Sequence, residues 1–328
     1  MNILVTGGAG YVGSHAARLL DRAGHKVWVY DNLLLGHRGA VRPDRLIVGD
    51  LTDRAKLTST LTEKKIDAVM HFAAFSLVPE SVADPAKYYQ NNVGGSLSLL
   101  EAMRAAGVQR IVFSSTTATY GVPTKLPITE DEPQKPINPY GFCKLVIEQA
   151  LADYAAAYGF GYAALRYFNA SGASPDGDIG EDHKPETHLI PIVLQVALGQ
   201  RPHITIYGED YPTPDGTCIR DYIHVNDLAA AHLLALEKLA PGQAMHYNLG
   251  TGVGNSVREV LDAVQKVGGK PVPIVEGPRR AGDPPVLVAS SAKILKDLGW
   301  SPKYRDLAAI VETAWKWRVK HPRGYGDR

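Results

Sequence analysis

The chain has 328 residues, 45% hydrophobic, with Lys plus Arg (35) and Asp plus Glu (34) almost balanced at a formal net charge of +1. That length supports one large or two moderate domains with buried cores, and the balance excludes a general affinity for nucleic acid, although local basic clusters can still meet an acidic ligand. Cys143 and Cys218 have no metal-ligand spacing, no stretch is long and apolar enough to span a bilayer, and the chain starts with neither a basic leader nor a long apolar core. A cytoplasmic protein with reduced thiols and no metal is therefore expected.

Residues 3–6 read as a buried strand running into "TGGAGYVGSH", with a helix over 14–23. Gly7, Gly10 and Gly13 follow the spacing G-x-x-G-x-x-G. The first two let the backbone turn tightly and approach a pyrophosphate; the third lets the helix pack closely while its N–H groups face the phosphate. Residues 27–30 read as the next strand. Asp31 falls just past it, where an acid accepts the ribose hydroxyls of NAD and repels the 2′-phosphate of NADP; a loop residue or helix cap is the other reading. Strand 46–48 leads to "IVGDLTD", in which Asp50 is an adenine contact or a plain loop acid. A helix over 56–64 and a strand over 68–72 follow, the latter ending in "HFAAFS", whose small residues let a ribose lie close.

A helix is expected over 88–106, with Asn91 and Asn92 near its start as cofactor contacts or caps. Strand 110–114 ends in "IVFSSTTATYG", placing Ser114 to Thr117 at the carboxyl end of a parallel strand, where open sheets bind ligands. Asn138 caps a helix over 140–158, with Pro139 at its first position, and strand 162–167 closes the series. This alternation implies an α/β fold, a Rossmann-type doubly wound parallel sheet over residues 1–168. Beyond about residue 168 the alternation breaks, so 169–328 read mainly as a smaller mixed α/β substrate domain. Strand and helix within 219–236 are expected to return to the first sheet, and helices over 257–267 and 307–319 belong to the smaller unit.

Tyr140 and Lys144 lie one turn apart on one helical face. A free phenol has a pKa of about 10, so using it as a base at neutral pH takes a shift of roughly 3 units, about 4 kcal/mol of preference for phenolate. An adjacent ammonium and the positive nicotinamide ring of NAD⁺ can supply that. Against it, Tyr-x-x-x-Lys occurs on many amphipathic helices with the lysine solvated.

These stretches, together with "VMHFAAFSLVPESV", "YYQNNVGGSLSLLEAMR", "NPYGFCK", "LRYFNASGASPDGDIGED", "YGEDYPTPDGTCIRDYIHV", "YNLGTGVGNSV" and "PRRAGDPP", resemble the extended short-chain dehydrogenase/reductase superfamily over essentially the whole chain, and within it the 4-epimerases of UDP-hexoses. The resemblance implies C4 epimerisation, interconverting UDP-glucose and UDP-galactose through a 4-keto sugar with tightly bound NAD. It makes Tyr140 the base, Lys144 the group that lowers its pKa, and Thr116 the hydroxyl at the reacting carbon. It implies cofactor contacts from Gly7, Gly10, Tyr11, Val12, Gly13, Asp31, Asn32, Leu33, Gly36, Asp50, Leu51, Phe72, Ala73, Ala74, Ser76, Asn91, Ser114, Tyr140, Lys144 and Phe168. For the UDP-sugar it implies Thr116, Tyr140, Asn169, His188, Leu189, Tyr207, Arg220, Arg280 and Asp283, with Leu287 limiting the sugar's 2-substituent. Thr116 stands where some members carry serine, Ser76 where some carry lysine, and His188 where some carry Asn. The arginines suit a diphosphate, which guanidinium groups bind bidentately, although the pair Arg279-Arg280 also reads as solvated charge.

Other members of the superfamily are nucleotide-sugar dehydratases, which need an Asp-Glu pair after the strand-end Thr, and decarboxylases, which need a Glu there. Thr116 is followed by Thr117 and Ala118. A non-catalytic NAD-binding regulator would be expected to lose Tyr140 or Lys144. Epimerisation of another UDP-sugar, an N-acetylhexosamine or a pentose, stays open. By resemblance the helices over 88–106 and 140–158 pair with their copies in a homodimer; burial within one chain is the alternative.

Overall fold

The computed structural model describes residues 1–280 and 283–327; Ala281 and Gly282, inside the "PRRAGDPP" stretch, and Arg328 lie outside the description. In chain order the first half runs β1 (Asn2–Thr6), α1 (Tyr11–Arg22), β2 (Lys26–Asp31), β3 (Leu46–Val48), α2 (Arg54–Glu63), β4 (Ala68–His71), α3 (Val78–Ala83), α4 (Pro85–Tyr88), α5 (Gly95–Ala106), β5 (Arg110–Thr116), α6 (Pro139–Tyr158) and β6 (Gly161–Tyr167). The second half adds β7 (Asn169–Ser171), α7 (Leu189–Ala197), β8 (Ile204–Tyr207), β9 (Ile219–His224), α8 (Val225–Lys238), β10 (Ala244–Leu249), β11 (Gly254–Ser256), α9 (Val257–Gly268), β12 (Ile274–Gly277), β13 (Val286–Leu287), α10 (Ala292–Leu298) and α11 (Leu307–Lys320).

Seven strands form one sheet in the order β3-β2-β1-β4-β5-β6-β10, every neighbouring pair parallel. Parallel strands are buried on both faces, which is why their sequences are runs and not alternations. Ile3 and Val5 point into a core shared with Ala16 and Leu20 of α1 and Leu228 of α8. Leu4, between them, points into the opposite core with Leu57 of α2, Leu99 of α5 and Ile147 of α6. A doubly wound α/β fold is therefore what the chain adopts.

Two expectations need correction. Of residues 219–236, only the helix packs on the large sheet, its Ala229 and Ala231 lying in the core beside α1. β9 instead centres a small separate sheet with β7, β11 and β13. The strand that joins the large sheet is β10, whose Met245, Tyr247 and Leu249 face the α8 side while Asn248 is buried and bonded to the Tyr120 hydroxyl at 2.8 Å. The helix expected over 88–106 is also not continuous: a π-helical turn, Tyr89–Gly94, separates α4 from α5. The wide turn carries Asn92 inward, where its side chain accepts from the Phe75 amide at 2.8 Å and donates to the Phe75 carbonyl at 2.9 Å. Asn91 and Asn92 are thus mid-helix groups and not caps, and local propensity loses to this tertiary bond.

The start of α6 follows the sequence: Asn138 accepts from the Gly141 amide at 2.8 Å, Pro139 occupies the first turn, and Gly159 ends the helix at φ 73°. Further along, Glu148 is buried, 4% exposed, and paired with Arg166 of β6, whose Nε donates to both carboxylate oxygens at 3.0 and 3.2 Å. Ser115 of β5 donates to the same carboxylate, and Arg166 donates to the Tyr120 hydroxyl at 2.7 Å. No described helix is long and apolar enough to cross a membrane. Breaking one partner of a buried pair leaves the other charge uncompensated. Glu148→Ala and Arg166→Ala should each lower the unfolding free energy by about 3–5 kcal/mol, and the double variant should lose less than their sum. Urea denaturation followed by circular dichroism checks this; single losses below about 1 kcal/mol would show the pair anchors nothing.

Candidate active site

The carboxyl ends of β1 to β4 open on a cavity of about 110 Å³. Its wall takes Gly7 and Gly10 from the loop after β1, Asp31, Asn32 and Gly36 from the end of β2 and its loop, Asp50 and Leu51 from the loop after β3, Phe72, Ala73 and Ala74 from the loop after β4, and Asn91 from the π-helical turn. Gly7 has φ +70°, and a Cβ there would stand 2.4 Å from the Ala73 backbone nitrogen; a Cβ on Gly13 would stand 2.2 Å from the Gly7 carbonyl oxygen. The glycine spacing thus sets how closely two loops and a helix start approach one another. Asp31 accepts from the Ala9 amide at 3.0 Å and the Leu33 amide at 2.8 Å, and Leu33 takes a positive φ of 60° as the loop turns back around that carboxylate. Asn32 donates to Asp50 at 2.7 Å, linking two of the wall's loops.

Several of the expected contact residues do not line this cavity. Val12 and Leu33 pack on the core beneath the loop. Tyr11 turns away, its hydroxyl donating to the Gly172 carbonyl at 2.6 Å. Ser76 is exposed and outside the cavity wall. Tyr30, Leu34, Leu35, Gly49 and Phe75 line the cavity without having been singled out. Gly49 had a signal, since a side chain there would strike the Tyr30 hydroxyl at 2.4 Å; the leucines come in only through the fold of the loop after β2.

A second group of side chains gathers at the ends of β5 and β6. The Lys144 ammonium, 3% exposed, donates to the Ser114 carbonyl at 2.7 Å. The Ser114 and Tyr167 hydroxyls meet at 2.6 Å, and the Thr116 side chain lies close enough to the Tyr140 phenol to favour its ionised form. Phe168 follows, half-buried, in the turn between β6 and β7. Burial pushes the Tyr140 phenol above its ordinary value, with only the Thr116 side chain opposing it. The Lys144 ammonium is 6.0 Å from the phenol ring centre and donates to a carbonyl. Burial also pushes Lys144 down to about 8.

The remaining predicted residues surround the small sheet. Asn169, two residues beyond Tyr167, donates to the Asp221 carbonyl at 3.1 Å. Arg220 of β9 pairs with the Asp283 carboxylate and sits in register with Leu287 of β13. Arg280 stacks 4.2 Å above the Tyr207 ring, itself 42% exposed, while Arg279 pairs with the exposed Asp210; both arginines stay on the surface. His188 occupies the cap position of α7, and Leu189 opens that helix.

With this geometry in hand, the comparisons are specific. The model of the NAD dependent epimerase/dehydratase family matches residues 3–250. A UDP-glucose 4-epimerase of Lacticaseibacillus casei is 54% identical over 330 residues, covering all of both chains. The crystal structure of the Brucella ovis UDP-glucose 4-epimerase in complex with NAD is 53% identical, with TM-score 0.93 over 96% of this chain and 97% of that one. The Bifidobacterium longum UDP-glucose 4-epimerase, solved with NAD+ and UDP, is 39% identical, with TM-score 0.93 over 99% and 100%.

Because Lys144 holds its proton less tightly folded than unfolded, the unfolded chain binds more protons between about pH 8 and 10.5. Stability relative to Lys144→Met should therefore rise across that window, by about 3 kcal/mol from a shift of that size. Denaturation midpoints of both proteins from pH 7 to 10.5 measure it; parallel curves would refute the depressed value.

Proposed function

Since the chain belongs to the NAD dependent epimerase/dehydratase family, we propose that it interconverts UDP-glucose and UDP-galactose by inverting C4 of the hexose, with NAD resident in the cavity behind the glycine loop. The observation that carries this is the meeting of Tyr140, Thr116 and Lys144 at the end of β5, beside the loops that line that cavity. The walls of the cavity suit the phosphate and ribose of a dinucleotide: a glycine turn whose backbone no Cβ crowds, and a carboxylate at the end of β2. NAD, when bound, supplies the acceptor and donor of hydride at C4 and a positive ring that favours phenolate. Residues 1–168 with α8 and β10 hold the cofactor, and the rest forms most of the substrate unit.

Tyr140 takes the C4 hydroxyl proton and returns it, and Thr116 orients the hydroxyl by bonding both oxygens. Lys144 is the cation that a phenolate in this buried shell would face, and its committed bond to Ser114 fixes where that charge stands. Inversion requires the 4-keto sugar to present its other face, so the diphosphate must be held firmly and the hexose loosely. Arg220 and Arg280 clamp the diphosphate, Asn169, His188 and Leu189 flank it, and Tyr207 and Asp283 hold the nucleoside end. Leu287, in register with Arg220, borders the sugar's 2-substituent. A dehydratase lacks its acid–base pair here, because Thr117 and Ala118 follow Thr116 and the buried Glu148 on α6 is locked to Arg166. The exposed Leu97 and Phe142, on α5 and α6, mark the face by which two copies pair as a cytoplasmic homodimer.

The deciding experiment is product analysis with UDP-galactose, UDP-N-acetylgalactosamine and a UDP-pentose, without added NAD. UDP-glucose should form from UDP-galactose, since the cofactor stays bound. Conversion of only the N-acetylated sugar or the pentose would replace the substrate assignment, and no conversion of any would remove the enzymatic one. Tyr140→Phe should lose at least ~100-fold in turnover while retaining NAD, read by absorbance of the released nucleotide; full activity would end its role as base. Asp31→Ala should shift preference from NAD toward NADP in reconstitution, and an unaltered preference would count against the ribose contact.

A further inference from the structure

We propose that Glu181, His183, Glu186 and His188 form a binding site for one divalent metal ion of zinc's type, at the border of the diphosphate site assigned above through their shared His188. The four lie in E-D-H-K-P-E-T-H, within the stretch 172–188 that joins β7 to α7 without helix or strand. One nitrogen or oxygen from each comes within 4.8 Å of all the others. Ligands about 2.0–2.2 Å from a tetrahedral ion stand roughly 3.3–3.6 Å from one another. Here Glu181 Oε1 and Glu186 Oε2 lie 3.3 and 3.6 Å from His183 Nδ1, and Glu181 Oε1 is nearer to His188 Nδ1, at 2.8 Å.

A cluster of protonated histidines and carboxylates would have similar spacing and the same net charge, so distance alone does not decide. Hydrogen-bond alignment favours the ion, although each imidazole is also within ion-pairing reach of a carboxylate. Imidazolium and carboxylate align N–H on oxygen, yet His183 Nδ1, His188 Nδ1 and Glu186 Oε2 are buried atoms with no hydrogen-bond partner. The Glu186 side chain is 1% exposed, and burying an unpartnered carboxylate oxygen is costly unless something else satisfies it. Its other oxygen is taken: Oε1 accepts from the amides of Thr187 at 2.8 Å and His188 at 2.9 Å, which orients the carboxylate as an outer shell orients a ligand. Two imidazoles and two carboxylates suit zinc, and the two negative charges match its two positive ones. The imidazoles keep 28% and 41% of their surface, which leaves the ion a way in.

The site would act on position. His183 meets the Tyr11 ring edge-on at 6.5 Å, and Tyr11 bonds the Gly172 carbonyl, so an ion there ties both ends of the irregular stretch to the first turn of α1. The test uses untagged full-length protein, stripped with chelator and reloaded with zinc or cobalt(II). About one equivalent of zinc per chain should be retained by mass spectrometry, the melting temperature should rise on reloading, and cobalt should give the intense visible bands of a four-coordinate site. Glu186→Gln and His183→Gln should drop metal content to the background of a buffer blank. If these variants do not fold, the cobalt spectrum of the unaltered chain decides. Failure of that chain to take up either metal, or full retention by folded variants, would leave an ion-paired cluster and overturn the proposal.

Discussion

The pairing of Arg166 with Glu148 fixes more of this molecule than its size suggests. Tyr140, Lys144 and Glu148 follow one another at intervals of four, so they form one stripe along α6 about 12 Å long. Glu148 is the end of that stripe furthest from the helix start, and it is held by β6 and, through Ser115, by β5. With one end held and Asn138 defining the other, the helix has no freedom to roll, and the phenol and ammonium are delivered to the carboxyl ends of the same two strands. The position of the phenol and the ammonium is thus set by a charge pair further along the same helix.

Burial explains the electrostatic character of the stripe. A phenol and an ammonium withdrawn from water each disfavour their ionic form, and both shifts appear here: tyrosine upward, lysine downward to about 8. The two effects move the proton affinities of the groups apart, each group toward its neutral form. A shell that resists either charge alone tolerates the two together, provided the donor to the Ser114 carbonyl stays where it is. The hydroxyls of Thr116, Ser114 and Tyr167 complete that shell.

Much of this was legible in the sequence because it is local. The run Ile3-Leu4-Val5 before Gly7, the Asn138-Pro139 start, and the interval between Tyr140 and Lys144 all state their structure within a few residues. What was not legible depends on distant partners. The π-helical turn exists because Asn92 finds the backbone of Phe75. β10 was missed because His246 and Asn248 interrupt its apolar positions, and only the contacts of Asn248 with Tyr120 show why a polar residue belongs there. Leu34 and Leu35 read as ordinary loop residues until the loop after β2 folds over the cavity. The Glu-His cluster before α7 has close spacing in the chain, but its stretch carries no periodicity to suggest that the side chains converge.

The near contact between Gly7 and Ala73 has a consequence for how such a cleft can change over time. What a side chain at Gly7 would strike is peptide backbone, not a neighbouring side chain. No compensating truncation elsewhere can make room, so that wall is effectively closed to gradual remodelling. The facing wall, where Leu34 and Leu35 are largely open to solvent, carries no such restriction. Divergence toward a different ligand would have to proceed from that side alone, leaving the glycine side as an inherited fixed dimension.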